Sequence, residues 1–119
     1  MKNKYLEVRH ANWSMIGPGS WVGTNITIYD DLSVDRLDEY NSFEEREKRS
    51  SYSITQEQYD EIKENLELAK HIDTKIEACD GDSYEFTEYK DGSVVWKRAL
   101  GYIYGIEPLE KISQQILKQ

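Results

Sequence analysis

Tyr84-Glu85-Phe86-Thr87-Glu88-Tyr89, then Lys90-Asp91-Gly92, then Ser93-Val94-Val95-Trp96-Lys97-Arg98 is the stretch that decides the fold. Two runs rich in aromatic and β-branched residues flank an Asp-Gly pair, and that combination is a strong hairpin signal. Two registers compete. A loop of Asp91-Gly92 alone sets Phe86 opposite Lys97 and Trp96 opposite Thr87, so that each face mixes apolar and charged groups. A three-residue loop with Gly92 left-handed pairs Phe86 with Trp96, Glu88 with Val94 and Glu85 with Lys97. It gathers Tyr84, Phe86, Val94 and Trp96 on one face. A one-residue slip flips every side chain, so the segregated register, and with it the three-residue loop, is expected.

Downstream, Ile106-Glu107-Pro108-Leu109-Glu110 carries helix-start chemistry. Proline near the first helical position loses no needed N–H, and the acids sit near the positive end of the helix dipole. Leu109, Ile112 and Ile116 follow at helical spacing, an apolar stripe that must pack on something. The Phe86/Trp96 face is the obvious partner.

Working back towards the start, the strongest helix is the one after Ile54. Thr55 and Gln58 form a Thr-x-x-Gln capping box, and Ile54 and Tyr59 have the spacing of a hydrophobic staple. Tyr59, Ile62, Leu66 and Ala69 line one face as far as about His71, and the other face is charged. Residues 4–12 alternate, with Leu6, Val8 and His10 on one side, and read as a first strand. Gly17-Pro18-Gly19 is a turn. Residues 21–29 read as a second strand, with Val22, Ile26 and Ile28 opposite Asn25, Thr27 and Tyr29. Residues 33–40 are held as a third strand, although Val34, Leu37 and Tyr40 also fit helical spacing. Residues 43–49 form a charged connection, and 51–53 add a short strand.

Thr27, Tyr29, Asp31, Ser33 and Val34 are echoed by Thr87, Tyr89, Asp91, Ser93 and Val94. The echo is compatible with a duplicated strand–strand–helix unit, but the small vocabulary that hairpins use is the preferred account. Leu32 stands where Gly92 does, so the first turn is not expected to share the left-handed geometry.

The chain has 119 residues, 38% hydrophobic and 32% charged, with nine tyrosines and three tryptophans. That is globular composition and room for one domain, residues 1–119. One cysteine leaves no internal disulfide, no apolar run approaches a membrane span, and Met1 to Glu7 shows no signal-peptide core. A cytoplasmic location is expected. The net charge of −8 disfavours nucleic acid, whose phosphates require Lys and Arg, and suits a basic protein partner or simple solubility.

Catalytic and metal signatures are weak. Asp80-Gly81-Asp82 with Glu85 lacks the ligand count of a calcium loop and is good turn chemistry. Cys79 has no local signature pairing it with His10 or His71; it reads as a small buried hydrophobe, His71 as a helix-terminal charge and His10 as a satisfied strand position. Neither a phosphate-binding loop nor a nucleophile elbow is present. The candidate binding residues are aromatic: Tyr102 and Tyr104 between Gly101 and Gly105, and Trp13 and Trp21 around the Gly-Pro-Gly turn. The structural alternative is that they extend the rim of the core.

The run Ala78-Cys79-Asp80-Gly81-Asp82-Ser83-Tyr84-Glu85-Phe86, continuing to Leu100-Gly101-Tyr102-Ile103-Tyr104-Gly105-Ile106-Glu107-Pro108-Leu109-Glu110, resembles small uncharacterised acidic proteins of low-GC Gram-positive bacteria and their mobile elements. It covers about a third of the chain. The resemblance implies a bacterial source and the cytoplasm, and no activity.

These readings converge on an α+β protein: an antiparallel sheet of four to six strands with two amphipathic helices packed on one face. The expected function is a small acidic protein-binding module of inhibitor, immunity or anti-defence type, with no catalysis, cofactor or metal. The alternative is a small-molecule-binding domain with an aromatic-lined pocket between sheet and helices. A protein partner is expected, with no nucleic acid and no membrane; pairing of an exposed strand into a homodimer is compatible with either reading.

Overall fold

The computed structural model describes residues 3–12, 21–40, 47–71, 82–100 and 107–116. Its elements run β1 (Lys4–Asn12), β2 (Trp21–Tyr29), β3 (Ser33–Tyr40), β4 (Glu47–Ser53), α1 (Gln56–Lys70), β5 (Asp82–Lys90), β6 (Ser93–Leu100) and α2 (Glu107–Ile116). All six strands join one antiparallel sheet in the order β4-β3-β2-β1-β5-β6. A meander therefore builds one half, and the crossover through α1 brings β5 back beside β1.

Alternation decides which face is buried. Leu6, Val8, Ile26, Ile28, Val34 and Phe86 point to one side, where Tyr59, Ile62, Leu66 and Ala69 of α1 and Leu109, Ile112 and Ile116 of α2 close over them. Phe86 is fully buried, which favours the fold by about 1.5–3 kcal/mol. The Tyr52 hydroxyl of β4 donates to the Ile116 carbonyl at 3.1 Å, and Arg98 of β6 donates to the Ala69 carbonyl at 3.2 Å. These bonds tie the last turn of each helix to opposite edge strands. Among the described residues no helix is long and apolar enough to cross a membrane.

The β5–β6 hairpin corrects the expected register. Asp91 and Gly92 both have positive φ (52° and 80°), Lys90 pairs with Ser93, and Tyr89 pairs with Val94. The loop thus has two residues, not three. A bulge then shifts the ladder between Glu88 and Tyr89, leaving Val95 unopposed and setting Trp96 opposite Glu88 and Phe86 opposite Arg98. Face segregation is achieved by the bulge rather than by the loop. Trp96 reaches the helix side as expected, whereas Val94 is 54% exposed. Glu85 and Lys97 are not directly opposite, yet their side chains still meet at 3.4 Å.

The first hairpin brings a second correction. Leu32 does adopt the left-handed conformation, with φ 76°. Its N–H closes the turn on the Tyr29 carbonyl at 3.1 Å, and its carbonyl accepts from Ile54 N at 2.9 Å. The side chain packs against the core. These contacts offset a backbone cost of roughly 1–2 kcal/mol.

Candidate functional site

Three cross-strand rows cover the helix side of the sheet. Val34, Ile28, Leu6, Glu88 and Trp96 form the first, and Arg36, Ile26, Val8, Phe86 and Arg98 the second. Asp38, Thr24, His10 and Tyr84 form the third. The first two have aliphatic centres. In the third, aliphatic residues give way to a carboxylate, a hydroxyl, an imidazole and a phenol. Polar groups on a buried face are costly unless they find partners, and a break in an otherwise apolar pattern marks the place to look for function.

Each group in that row is engaged. The Thr24 hydroxyl, 2% exposed, donates to Asp38 Oδ1 at 2.6 Å. Arg36 grips the same carboxylate through Nε at 3.0 Å and through a second nitrogen at 3.3 Å. Burial alone would push the Asp38 carboxyl up, but the Thr24 hydrogen bond and the Arg36 guanidinium outweigh it and hold the group below its ordinary value. The His10 ring stacks on Tyr84 at 4.1 Å and nearly parallel, 10° between planes.

Trp21 completes the cluster. Strict alternation would turn it to the opposite face, with Asn25 and Thr27. A register shift between Trp21 and Gly23 re-aims it. Its indole N–H donates to Thr24 Oγ1 at 2.8 Å, and its ring meets His10 edge-on at 5.0 Å. Thr24 thus accepts from Trp21 and donates to Asp38, so the half-buried indole is held by a relay that ends on Arg36. The row lies at the end of the sheet where β1, β3 and β6 finish and β2, β4 and β5 begin.

Of the four expected site residues, Trp21 is in this cluster. Trp13, Tyr102 and Tyr104 lie outside the described residues. The strands they adjoin in sequence, β1 and β6, both finish at the Trp21 end. Cys79, Asp80 and Gly81 are likewise outside the described residues. His10, expected as a satisfied strand position, is sandwiched between two rings. Thr24, Asp38, Arg36 and Tyr84 were missed as site residues. Their one sequence signal is polar character at positions that alternation assigns to the core side. Chemically the cluster offers a fixed aromatic edge; the Thr24 hydroxyl is buried and committed, so it presents no nucleophile.

No family model matches the chain, and no curated protein matches it.

Proposed function

We propose that the chain is a protein-binding module that docks a basic partner at the Trp21 end of its sheet. The observation that carries this reading is the fixed indole: a bulge aims Trp21, and the Thr24–Asp38–Arg36 relay holds it. Tryptophan, tyrosine and arginine dominate binding hot spots, and an anchor already held in place loses little freedom on docking. The net charge of −8 would steer a basic protein towards the molecule and repel phosphate backbones. Trp13, Tyr102 and Tyr104 are proposed to join the same interface. An inhibitor, immunity or anti-defence role, in the bacterial cytoplasm, fits a compact acidic chain of this kind. The pocket alternative has less support, because the described side chains between sheet and helices are buried against one another.

The test is native mass spectrometry of tagged protein recovered from lysate of the source organism, wild type beside Trp21→Ala. The reading requires added protein mass in a fixed ratio, weakened by salt and lost in Trp21→Ala with the fold retained. A partner that Trp21→Ala keeps at full strength overturns the site, and a bare chain in every growth condition overturns the function.

A further inference from the structure

The side of the sheet turned away from the helices is not flat. Glu7, Thr27, Asp35 and Ser51 form one row across β1 to β4, and Arg9, Asn25, Leu37 and Arg49 form the next. Short side chains occupy the middle of these rows, and longer ones stand around them. The result is a depression of about 520 Å³, whose lining includes Glu7, Asn25, Thr27, Tyr29, Leu37 and Arg49. That volume lies within the range of small-ligand sites, roughly 300–1,000 Å³.

The lining specifies the ligand's chemistry. Lys4 and Arg49 balance Glu7 and Asp35. Arg36 also borders the depression, but its guanidinium is bound to Asp38 on the helix side. Each charge already has a neighbour: Lys4 meets Glu7 at 3.5 Å, Arg49 meets Glu47 at 3.2 Å, and Asp35 accepts the Tyr29 hydroxyl at 3.0 Å. Burial, with Asp35 as hydrogen-bond acceptor, raises the Tyr29 phenol above its ordinary value, so it remains a donor. A charged ligand would gain little from so balanced a surface, and an apolar one would find only Leu37 and the Tyr29 ring. The Thr27 and Ser51 hydroxyls and the Asn25 amide can each both give and receive hydrogen bonds. Tyr29 adds an aromatic side chain to the lining.

We infer that this depression binds a short, uncharged saccharide, whose hydroxyls match the mixed donors and acceptors of a lining that also holds the aromatic side chain of Tyr29. Sites built on such hydrogen bonds discriminate strongly, because a ligand lacking one hydroxyl leaves a protein group unpaired.

The experiment is titration of the ¹⁵N-labelled full chain with maltose, cellobiose and N,N′-diacetylchitobiose into the tens of millimolar. One of them should shift the amides of Asn25, Thr27, Asp35, Leu37 and Ser51 saturably. Thr27→Val should weaken that binding about tenfold; if that variant fails to fold, Ser51→Ala on the exposed strand β4, which removes a second hydroxyl of the lining, should weaken it likewise. Silence with all three sugars overturns the inference. So does an equal response to the zwitterion glycylglycine, which would mean that the surface reads charge, and so do shifts confined to the Trp21 row. The depression and the Trp21 row lie on opposite faces of the sheet, so the failure of one proposal leaves the other standing.

Discussion

Thr24 and Asp38 face each other across β2 and β3 with 2.6 Å between hydroxyl and carboxylate, and both are buried. The pair occupies a position on the sheet where the two neighbouring rows carry Ile26 and Ile28. Thr24→Val keeps the β-branched shape and removes the hydroxyl, leaving Asp38 short of one donor and the Trp21 indole without its acceptor. A loss of about 1–3 kcal/mol is expected in urea unfolding. Faster hydrogen exchange at the Trp21 indole N–H should accompany it. A stable variant with an unchanged indole resonance would show that the relay does not hold Trp21.

The same carboxylate gives a pH signature. Its folded value lies below the ordinary one, so the stability it contributes is present above about pH 3.9, the unfolded value. That contribution is lost as the pH falls through the depressed folded value. Asp38→Asn should therefore flatten the acid limb of the stability–pH curve below about pH 4 while leaving the curve between neutrality and pH 5 parallel to wild type. An acid limb identical to wild type would mean that other carboxylates set it.

Lys70 makes the opposite prediction on the basic side. Its ammonium lies 2.7 Å from Glu67 and 2.5 Å from Glu88, which is itself buried, and 6.0 Å from the Trp96 ring. Burial pulls the Lys70 value down, but the two carboxylates outweigh it and leave it raised. Its contribution is present below about pH 10.4, the unfolded value, and fades as the pH rises through the raised folded one. Lys70→Met leaves Glu88 uncompensated, at a cost of about 1–3 kcal/mol. Adding Glu88→Gln should recover most of that loss. Equal stability of the single and double variants in denaturant melts would refute the pairing.

How legible these features were in the chain depends on how far apart the deciding residues lie. The start of α1 could be read directly, because a capping box is local: Gln58 N donates to Thr55 Oγ1 at 3.1 Å, and Thr55 N to Gln58 Oε1 at 2.9 Å. Ile54 and Tyr59 are both buried, as a staple requires. Strand β3 was ambiguous because Val34, Leu37 and Tyr40 also fit helical spacing; what settles it is pairing, Val34 against Ile28 on one side and Tyr52 on the other. Leu32 was misjudged because its strain is offset by Ile54, from beyond the next two strands. The Trp21 cluster was legible only in Trp21. His10, Thr24, Asp38 and Tyr84 come from four strands, and their meeting depends on register, which a single bulge can shift without any marker in the residue types.

Val95 turns that last point into an experiment. It is the extra residue of the β6 bulge, 53% exposed and unopposed on β5. Below the bulge Lys90 pairs with Ser93 and Tyr89 with Val94; beyond it Glu88 pairs with Trp96. Deleting Val95 would bring Trp96 directly after Val94, and so opposite Glu88 in an uninterrupted ladder. Phe86 would keep Arg98, and every core-side residue of β6 would keep its face. The deletion should therefore fold, with Trp96 still beside Lys70 and with stability within about 1 kcal/mol of wild type, since an exposed valine contributes little. Nuclear Overhauser contacts between Trp96 and Glu88 would confirm the regular ladder. If a three-residue loop with Phe86 opposite Trp96 were the true register, the same deletion would throw Trp96 onto the open face and cost several kcal/mol. The two registers thus predict opposite fates for one variant, and a thermal melt distinguishes them.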